Sequence, residues 1–62
     1  MPLIEVSIAE GRTEGELRNF ITALHKAAET TVHALPENTT VIVREVPKNR
    51  WSKGNVTIAE RG

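Results

Sequence analysis

Apolar and polar residues alternate near the start of the chain. Across residues 4–8, isoleucine and valine are separated by glutamate and serine. A period of two built from β-branched residues predicts a strand with one buried face. Pro2 stands at the start of this strand, where a residue without an N–H group is tolerated.

A helical pattern follows a turn at Glu10-Gly11-Arg12. Thr13 and Glu16 have the spacing of a capping box, which predicts the first turn of a helix. The apolar residues that follow recur at intervals of three, four and seven and share one helix face: Leu17, Phe20, Ile21, Leu24, Ala28 and Leu35. Pro36 ends the segment, because the residue before a proline avoids the α region. The predicted helix has about 20 residues and is about 30 Å long.

A second strand is predicted over residues 39–46, which are rich in β-branched side chains. Its unbroken apolar run, Val41-Ile42-Val43, predicts burial on both faces of the sheet. Pro47 stops the strand. Residues 49–55 are predicted to form a loop, and residues 56–59 one short final strand.

The predicted order is therefore strand, helix, strand and a short C-terminal strand or hairpin, in one α+β domain over residues 1–62. A long helix between two strands permits a right-handed crossover, so these strands are predicted to be parallel. Two strands and one helix leave both sheet edges open and one sheet face bare. The sequence therefore predicts an obligate oligomer that completes the sheet with strands of a partner chain.

Charge and composition exclude several kinds of site. Eight basic residues balance eight acidic ones, which argues against nucleic acid and against a polybasic membrane anchor. The absence of cysteine excludes disulfides and thiolate metal sites, and two histidines without aspartate leave little to hold a metal. No apolar run approaches the roughly 20 residues that span a bilayer, and no signal-peptide pattern is present. We therefore expect a cytoplasmic protein that binds no metal.

Pro2 is the main candidate for chemistry. Methionine is usually removed before a small residue, and its removal would leave a secondary amine at the start of the chain. An N-terminal amine titrates near 7.7–8 in ordinary peptides, and an apolar pocket or a nearby cation lowers that value. Such an amine is a workable general base. The alternative is a strand-initiating proline without chemistry.

Three further residues are candidate binding groups. Arg12, close to the predicted helix start, has the fork geometry that holds a carboxylate, or is a solvated loop residue. Trp51 is a lone indole in a polar loop, either an oligomer anchor or a pocket wall. Arg44 interrupts an apolar strand and either binds an anion or pairs with Glu5 or Glu45.

Together these segments resemble the 4-oxalocrotonate tautomerase family over essentially the whole chain. The resemblance rests on Pro2 with Glu10-Gly11-Arg12 at its characteristic distance, the long helix, the second strand at residues 41–46 and Trp51. It implies a single tautomerase domain whose subunits dimerise into a four-stranded sheet, three dimers forming a homohexamer. It also implies enol–keto tautomerisation without cofactor or metal.

Residue roles follow from the same resemblance. Pro2 would take the hydroxyl proton of a dienol such as 2-hydroxymuconate and return a proton to a distant carbon. Arg12 would bind a carboxylate of the substrate. Trp51 stands where the family has an aromatic residue that keeps the pocket apolar.

One position departs from the family pattern. Thr40 stands where relatives that act on the dicarboxylate carry a second arginine. Arg44 lies four residues on and shares the strand face of Thr40, roughly 13 Å along the strand. We therefore expect weaker activity on 2-hydroxymuconate, a different α-keto acid or a monocarboxylate as substrate, or compensation by Arg44 or Arg50. A non-catalytic oligomer that binds small acids is the alternative from another class.

Overall fold

Two parallel strands and one long helix, in the predicted order, make up most of the chain. The computed structural model describes residues 1–61. The elements are β1 (Leu3–Ala9), α1 (Glu14–Val32), β2 (Thr40–Val46), β3 (Ser52–Lys53), β4 (Val56–Thr57) and α2 (Ile58–Arg61). The α+β class and the β-α-β order are confirmed.

The β1 and β2 strands pair in parallel along their whole length. Leu3 lies opposite Thr40, and Ala9 lies opposite Val46. Backbone hydrogen bonds extend the ladder past both ends: the Thr40 N–H donates to the Pro2 carbonyl, and the Glu10 N–H donates to the Val46 carbonyl, both at 3.0 Å. The chain segments that follow the two strands therefore leave the sheet side by side.

The start of α1 is the predicted capping box. The Thr13 N–H donates to Glu16 Oε1 at 2.9 Å, and the Glu16 N–H donates to Thr13 Oγ1 at 3.1 Å. These bonds satisfy backbone and side-chain groups that a bare helix end would leave unpaired.

The predicted end of α1 is wrong. The helix ends at Val32, because His33 adopts the left-handed conformation (φ 59°) and its N–H donates a hydrogen bond to the Ala28 carbonyl. Leu35 therefore lies outside the helix and is 55% exposed, although its spacing fits the apolar stripe. Pro36 instead begins a short 3₁₀ turn that leads into β2.

The C-terminal segment forms a hairpin rather than one strand. The β3 and β4 strands are antiparallel, and Gly54 and Asn55 make the turn between them with φ of 60° and 61°. Positive φ at both central residues is the geometry of the tight turn that joins two-residue hairpins. A short C-terminal hairpin is thus confirmed in place of a single strand.

The predicted strand at residues 58–59 is wrong, because α2 begins there. The Thr57 N–H donates to Glu60 Oε1 at 2.8 Å, and the Glu60 N–H donates to Thr57 Oγ1 at 3.2 Å. This second capping box fixes a helical turn in a segment whose β-branched residues favour a strand.

The core of a single subunit is thin. Only Ala28, 7% exposed, is buried among residues 1–61. Val41 and Val43 are half-buried, whereas Leu3 and Ile42 on the opposite sheet face are 58% and 37% exposed. The prediction that residues 41–43 are buried on both faces is therefore wrong for one subunit, since no described element covers that face.

The overall dimensions also point to a missing partner. The extents are 41 × 24 × 14 Å, and the radius of gyration is 14.4 Å, whereas a compact chain of this length has about 11 Å. The accessible surface is 4786 Å², against about 4,000 Å² for a folded monomer of this mass. The excess is about the area that one partner contributes to a standard interface.

Candidate active site

Pro2 lies at the N-terminal end of β1 and is half-buried. Its carbonyl accepts the hydrogen bond from Thr40, which fixes the backbone on the C-terminal side of the ring. Met1, on the other side, is 98% exposed. Removal of Met1 would therefore free the ring nitrogen without loss of packing.

Arg12 lies at the opposite end of β1, in the turn before α1. Gly11 makes this turn with φ of 127°, a value that side chains disfavour. Arg12 is exposed, and within residues 1–61 its guanidinium has no carboxylate at ion-pair distance. Hydrogen bonds with Thr13 are the main cause that lowers the pKa of Glu16 from 4.5, and the Arg12 charge acts in the same direction. The guanidinium is therefore suited to binding a carboxylate.

Trp51 lies at the same end of the sheet as Arg12. It follows a 3₁₀ turn, Lys48–Arg50, in which the Arg50 N–H donates to the Pro47 carbonyl at 2.8 Å. Its carbonyl accepts from the Ile58 N–H at 2.9 Å, which anchors the backbone. The residue is half-buried, so part of the indole is available to a ligand or a partner chain.

Thr40 and Arg44 share the open face of the sheet. Thr40 is exposed at the Pro2 end. Arg44 lies opposite Ser7, and its Nη1 donates to Glu5 Oε2 at 3.0 Å across the two strands. Of the interpretations open for Arg44, the structure shows the ion pair with Glu5.

The structure separates the candidate residues into two groups. Pro2 and Thr40 lie at one end of the sheet, and Arg12 and Trp51 lie at the other. Eight residues of extended chain from Pro2 to Glu10 span roughly 26 Å at about 3.3 Å per residue. A small substrate cannot bridge that distance, so a site containing both Pro2 and Arg12 requires two subunits.

A single subunit offers little else that could enclose a ligand. Residues 1–61 form no pocket by themselves. Nor do three or more histidine, aspartate or glutamate side chains of this part of the chain gather closely enough to hold a metal ion. No helix formed by the described residues has the length and hydrophobicity needed to cross a bilayer.

Lys48 lies beside the turn that carries Arg12, and sequence reasoning did not identify it. Its Nζ lies 3.9 Å from the position that a Cβ on Gly11 would occupy. This proximity depends on the parallel register of β1 and β2, which brings residues 37 positions apart together. No local motif at Lys48 signals it.

Comparison with known proteins gives consistent matches over nearly the whole chain. A family model described as "Tautomerase enzyme" matches residues 2–61. A probable tautomerase of Staphylococcus haemolyticus is 38% identical, with 90% of each chain covered. The 2-hydroxymuconate tautomerase of Pseudomonas putida is 32% identical, covering 100% of this chain and 98% of the relative.

Solved structures match the fold closely. TomN, a 4-oxalocrotonate tautomerase homologue of the tomaymycin biosynthetic pathway, is 42% identical with a TM-score of 0.93, covering 97% of this chain and 92% of TomN. A heterohexameric 4-oxalocrotonate tautomerase from Chloroflexus aurantiacus is 28% identical with a TM-score of 0.90 and 97% of each chain covered.

Proposed function

Because the chain belongs to the tautomerase family, and is therefore an isomerase, we propose that it interconverts the enol and keto forms of a small carboxylic acid. Pro2, freed by removal of Met1, is the general base, and no cofactor takes part. The observation that carries this proposal is the position of Pro2: the strand holds it by the hydrogen bond to Thr40, and Met1 makes little contact.

The proposed reaction moves one proton and leaves the composition of the substrate unchanged. The lone pair of the Pro2 nitrogen takes the proton of the enol hydroxyl, and the oxygen electrons form the carbonyl as the double bonds shift. The resulting secondary ammonium then gives a proton to the carbon at the far end of the conjugated system. The same nitrogen thus serves as base and acid, which is general acid–base catalysis by a single group.

Arg12 and Trp51 are proposed to prepare the site for this base. The Arg12 guanidinium binds a substrate carboxylate through paired hydrogen bonds. The exposed part of the Trp51 indole excludes water from the amine. An apolar wall and a cation both disfavour the ammonium form, so they lower the pKa of the amine toward neutrality.

The site is proposed to be assembled from two subunits. When identical strands pair across a two-fold axis, they run antiparallel. Such pairing at a free sheet edge places the Pro2 end of one subunit beside the Arg12 end of its partner. The result is a four-stranded sheet with two composite sites. It pairs the open sheet edge, and it brings Pro2 of one subunit beside Arg12 of the partner, although about eight residues of strand, roughly 26 Å, separate the two within one subunit.

A homohexamer of three such dimers is proposed for the complete molecule. The open sheet face, with Leu3 and Ile42 exposed, provides apolar surface for contact between dimers. The heterohexamer of the Chloroflexus aurantiacus relative supports this assembly. The missing core of the single subunit is then supplied by its neighbours.

The substrate is proposed to be an α-keto acid or its enol that depends less on a second arginine than 2-hydroxymuconate does. Thr40 offers no positive charge to a developing dienolate at the Pro2 end. Arg44, on the same face, is already bound to Glu5. Loss of one group that stabilises an oxyanion costs roughly 3–4 kcal/mol in other enzymes, enough to redirect substrate preference.

A second candidate function is binding of a small acid without turnover. The observation that favours it is the same neutral Thr40 at the Pro2 end. In this second function the composite site is retained and Arg12 binds the carboxylate of the ligand, but Pro2 transfers no proton.

An assay with phenylpyruvate and 2-hydroxymuconate separates the two functions. We expect protein that has lost Met1 to tautomerise at least one of them above the buffer rate. Pro2→Ala should lower kcat by about 10²-fold or more, with the oligomer unchanged by light scattering. No turnover above buffer by protein whose Met1 is shown to be removed would support acid binding alone.

A further inference from the structure

Lys48 and Arg12 bring two positive charges to the Gly11 turn at the end of the sheet, and this pair is the cationic cluster. Both Cε and Nζ of Lys48 lie 3.9 Å from the position that a Cβ on Gly11 would occupy, and Arg12 is the next residue. Consecutive Cα atoms are 3.8 Å apart. The ammonium therefore lies over the backbone of the turn from which the guanidinium extends.

The fold holds this arrangement in place from both sides. The Glu10 N–H bonds to the Val46 carbonyl, so the chain enters the Gly11 turn beside the end of β2. The 3₁₀ turn after Pro47 then directs Lys48 back toward Gly11. The end of the Lys48 side chain therefore lies at van der Waals distance from the position that a Cβ on Gly11 would occupy.

Neither cation of the cluster is neutralised within the described chain. The ion pairs between side chains of residues 1–61 are Lys26 with Glu29 and Arg44 with Glu5. No carboxylate of residues 1–61 lies within 4.0 Å of the Lys48 ammonium or the Arg12 guanidinium. Two positive charges at one turn without a carboxylate partner favour the binding of an anion there.

We propose that Lys48 is a specificity-determining residue that binds a substrate carboxylate together with Arg12. The inference rests on the proposed function and deepens it: the Arg12 end of the composite site carries two cations, while the Pro2 end carries neutral Thr40. The preferred α-keto acid therefore carries a second carboxylate that is remote from the proton-transfer centre. The contact is made equally in the ground state and the transition state, so it acts on KM and not on kcat.

The experiment compares Lys48→Met with Lys53→Met. Lys53 is an exposed lysine in β3 that likewise has no carboxylate partner within residues 1–61, so its replacement removes the same charge elsewhere. We expect Lys48→Met to raise KM for the best enol acid about tenfold, the equivalent of about 1.4 kcal/mol, with kcat unchanged. Lys53→Met should leave both unchanged, and Lys48→Arg should restore KM.

A binding measurement separates this inference from the proposed function. Adipate, a dicarboxylate that cannot tautomerise, is titrated into the same variants by calorimetry. Weaker adipate binding by Lys48→Met but not by Lys53→Met supports the two-cation subsite even if the parent protein shows no turnover. Equal KM and equal adipate affinity in parent and Lys48→Met, or no adipate binding by the parent, would overturn it.

Discussion

At the scale of single residues, the chemistry follows from identity and neighbours. A proline at position 2 and an arginine in the turn after the first strand are visible in the sequence. Their types allow a base and a carboxylate ligand, and the family resemblance assigns them those roles. For Arg44 the sequence left three interpretations: anion binding, a pair with Glu5 or a pair with Glu45. Only the cross-strand geometry shows that the partner is Glu5. Lys48 was not identifiable, because its neighbour Gly11 is distant in the chain.

Thr40→Arg tests the part played by the neutral end of the site. The Thr40 backbone is bonded to Pro2, so an arginine there lies next to the proposed base. We expect kcat/KM for 2-hydroxymuconate to rise by at least about tenfold, because a cation would stabilise the developing dienolate. Steady-state kinetics would measure it.

Thr31→Arg is the matched control, since it adds the same charge on an exposed position of α1. An equal gain from Thr31→Arg would indicate general attraction of the substrate anion. No gain from Thr40→Arg would show that Thr40 does not limit dicarboxylate turnover.

At the scale of elements, local sequence signals predicted some helix and strand boundaries correctly and others wrongly. The Thr13 capping box was predicted because an apolar helical pattern follows it. The equivalent pair Thr57 and Glu60 did not lead to a helix prediction, because the neighbouring β-branched residues favour a strand. The early end of α1 depends on the left-handed conformation of His33. Position 33 holds neither glycine nor proline, so the sequence gives no usual signal for a helix end there.

The capping box of α1 makes stability depend on acid pH. The backbone hydrogen bond from Thr13 is the main cause that lowers the pKa of Glu16 from 4.5. A lowered pKa in the folded state gives stability that is present above 4.5 and is lost as pH falls through the lowered value. We expect Glu16→Gln to reduce stability at pH 7 and to lose that difference from the parent in acid.

Denaturant unfolding at one fixed protein concentration measures this effect. Glu14→Gln is the control, because Glu14 is a first-turn acid outside the capping box. Thr13→Ala should cost about 1 kcal/mol, as loss of a helix cap does. A Glu16→Gln deficit that persists unchanged down to pH 3, or an equal deficit in Glu14→Gln, would contradict this explanation.

At the scale of the whole molecule, the sequence predicted an oligomer from open edges and a thin core. The large radius of gyration and the exposed Leu3 and Ile42 agree with that prediction. What the sequence did not reveal is that Lys48 lies beside the Arg12 turn, at the opposite end of the subunit from Pro2. The register of β1 and β2 determines that placement, and it appears only once the two strands are paired.

Mixing two inactive variants tests the composite site. In a dimer of Pro2→Ala with Arg12→Ala, one site receives the intact Pro2 and the intact Arg12. Unfolding and refolding an equal mixture makes half of the dimers mixed, so about one quarter of all sites should recover. Activity of the mixture no higher than that of the separately refolded variants would show that each site belongs to one subunit.

Catalysis by the free ring nitrogen of Pro2 is tested most directly by the removal of Met1. Protein that retains Met1 is assayed before and during treatment with a methionine aminopeptidase, while intact mass reports the fraction of chains with Pro2 exposed. We expect tautomerase activity to rise in proportion to that fraction, because an amide nitrogen cannot act as a base. Equal turnover by chains with and without Met1 would contradict catalysis by the proline amine.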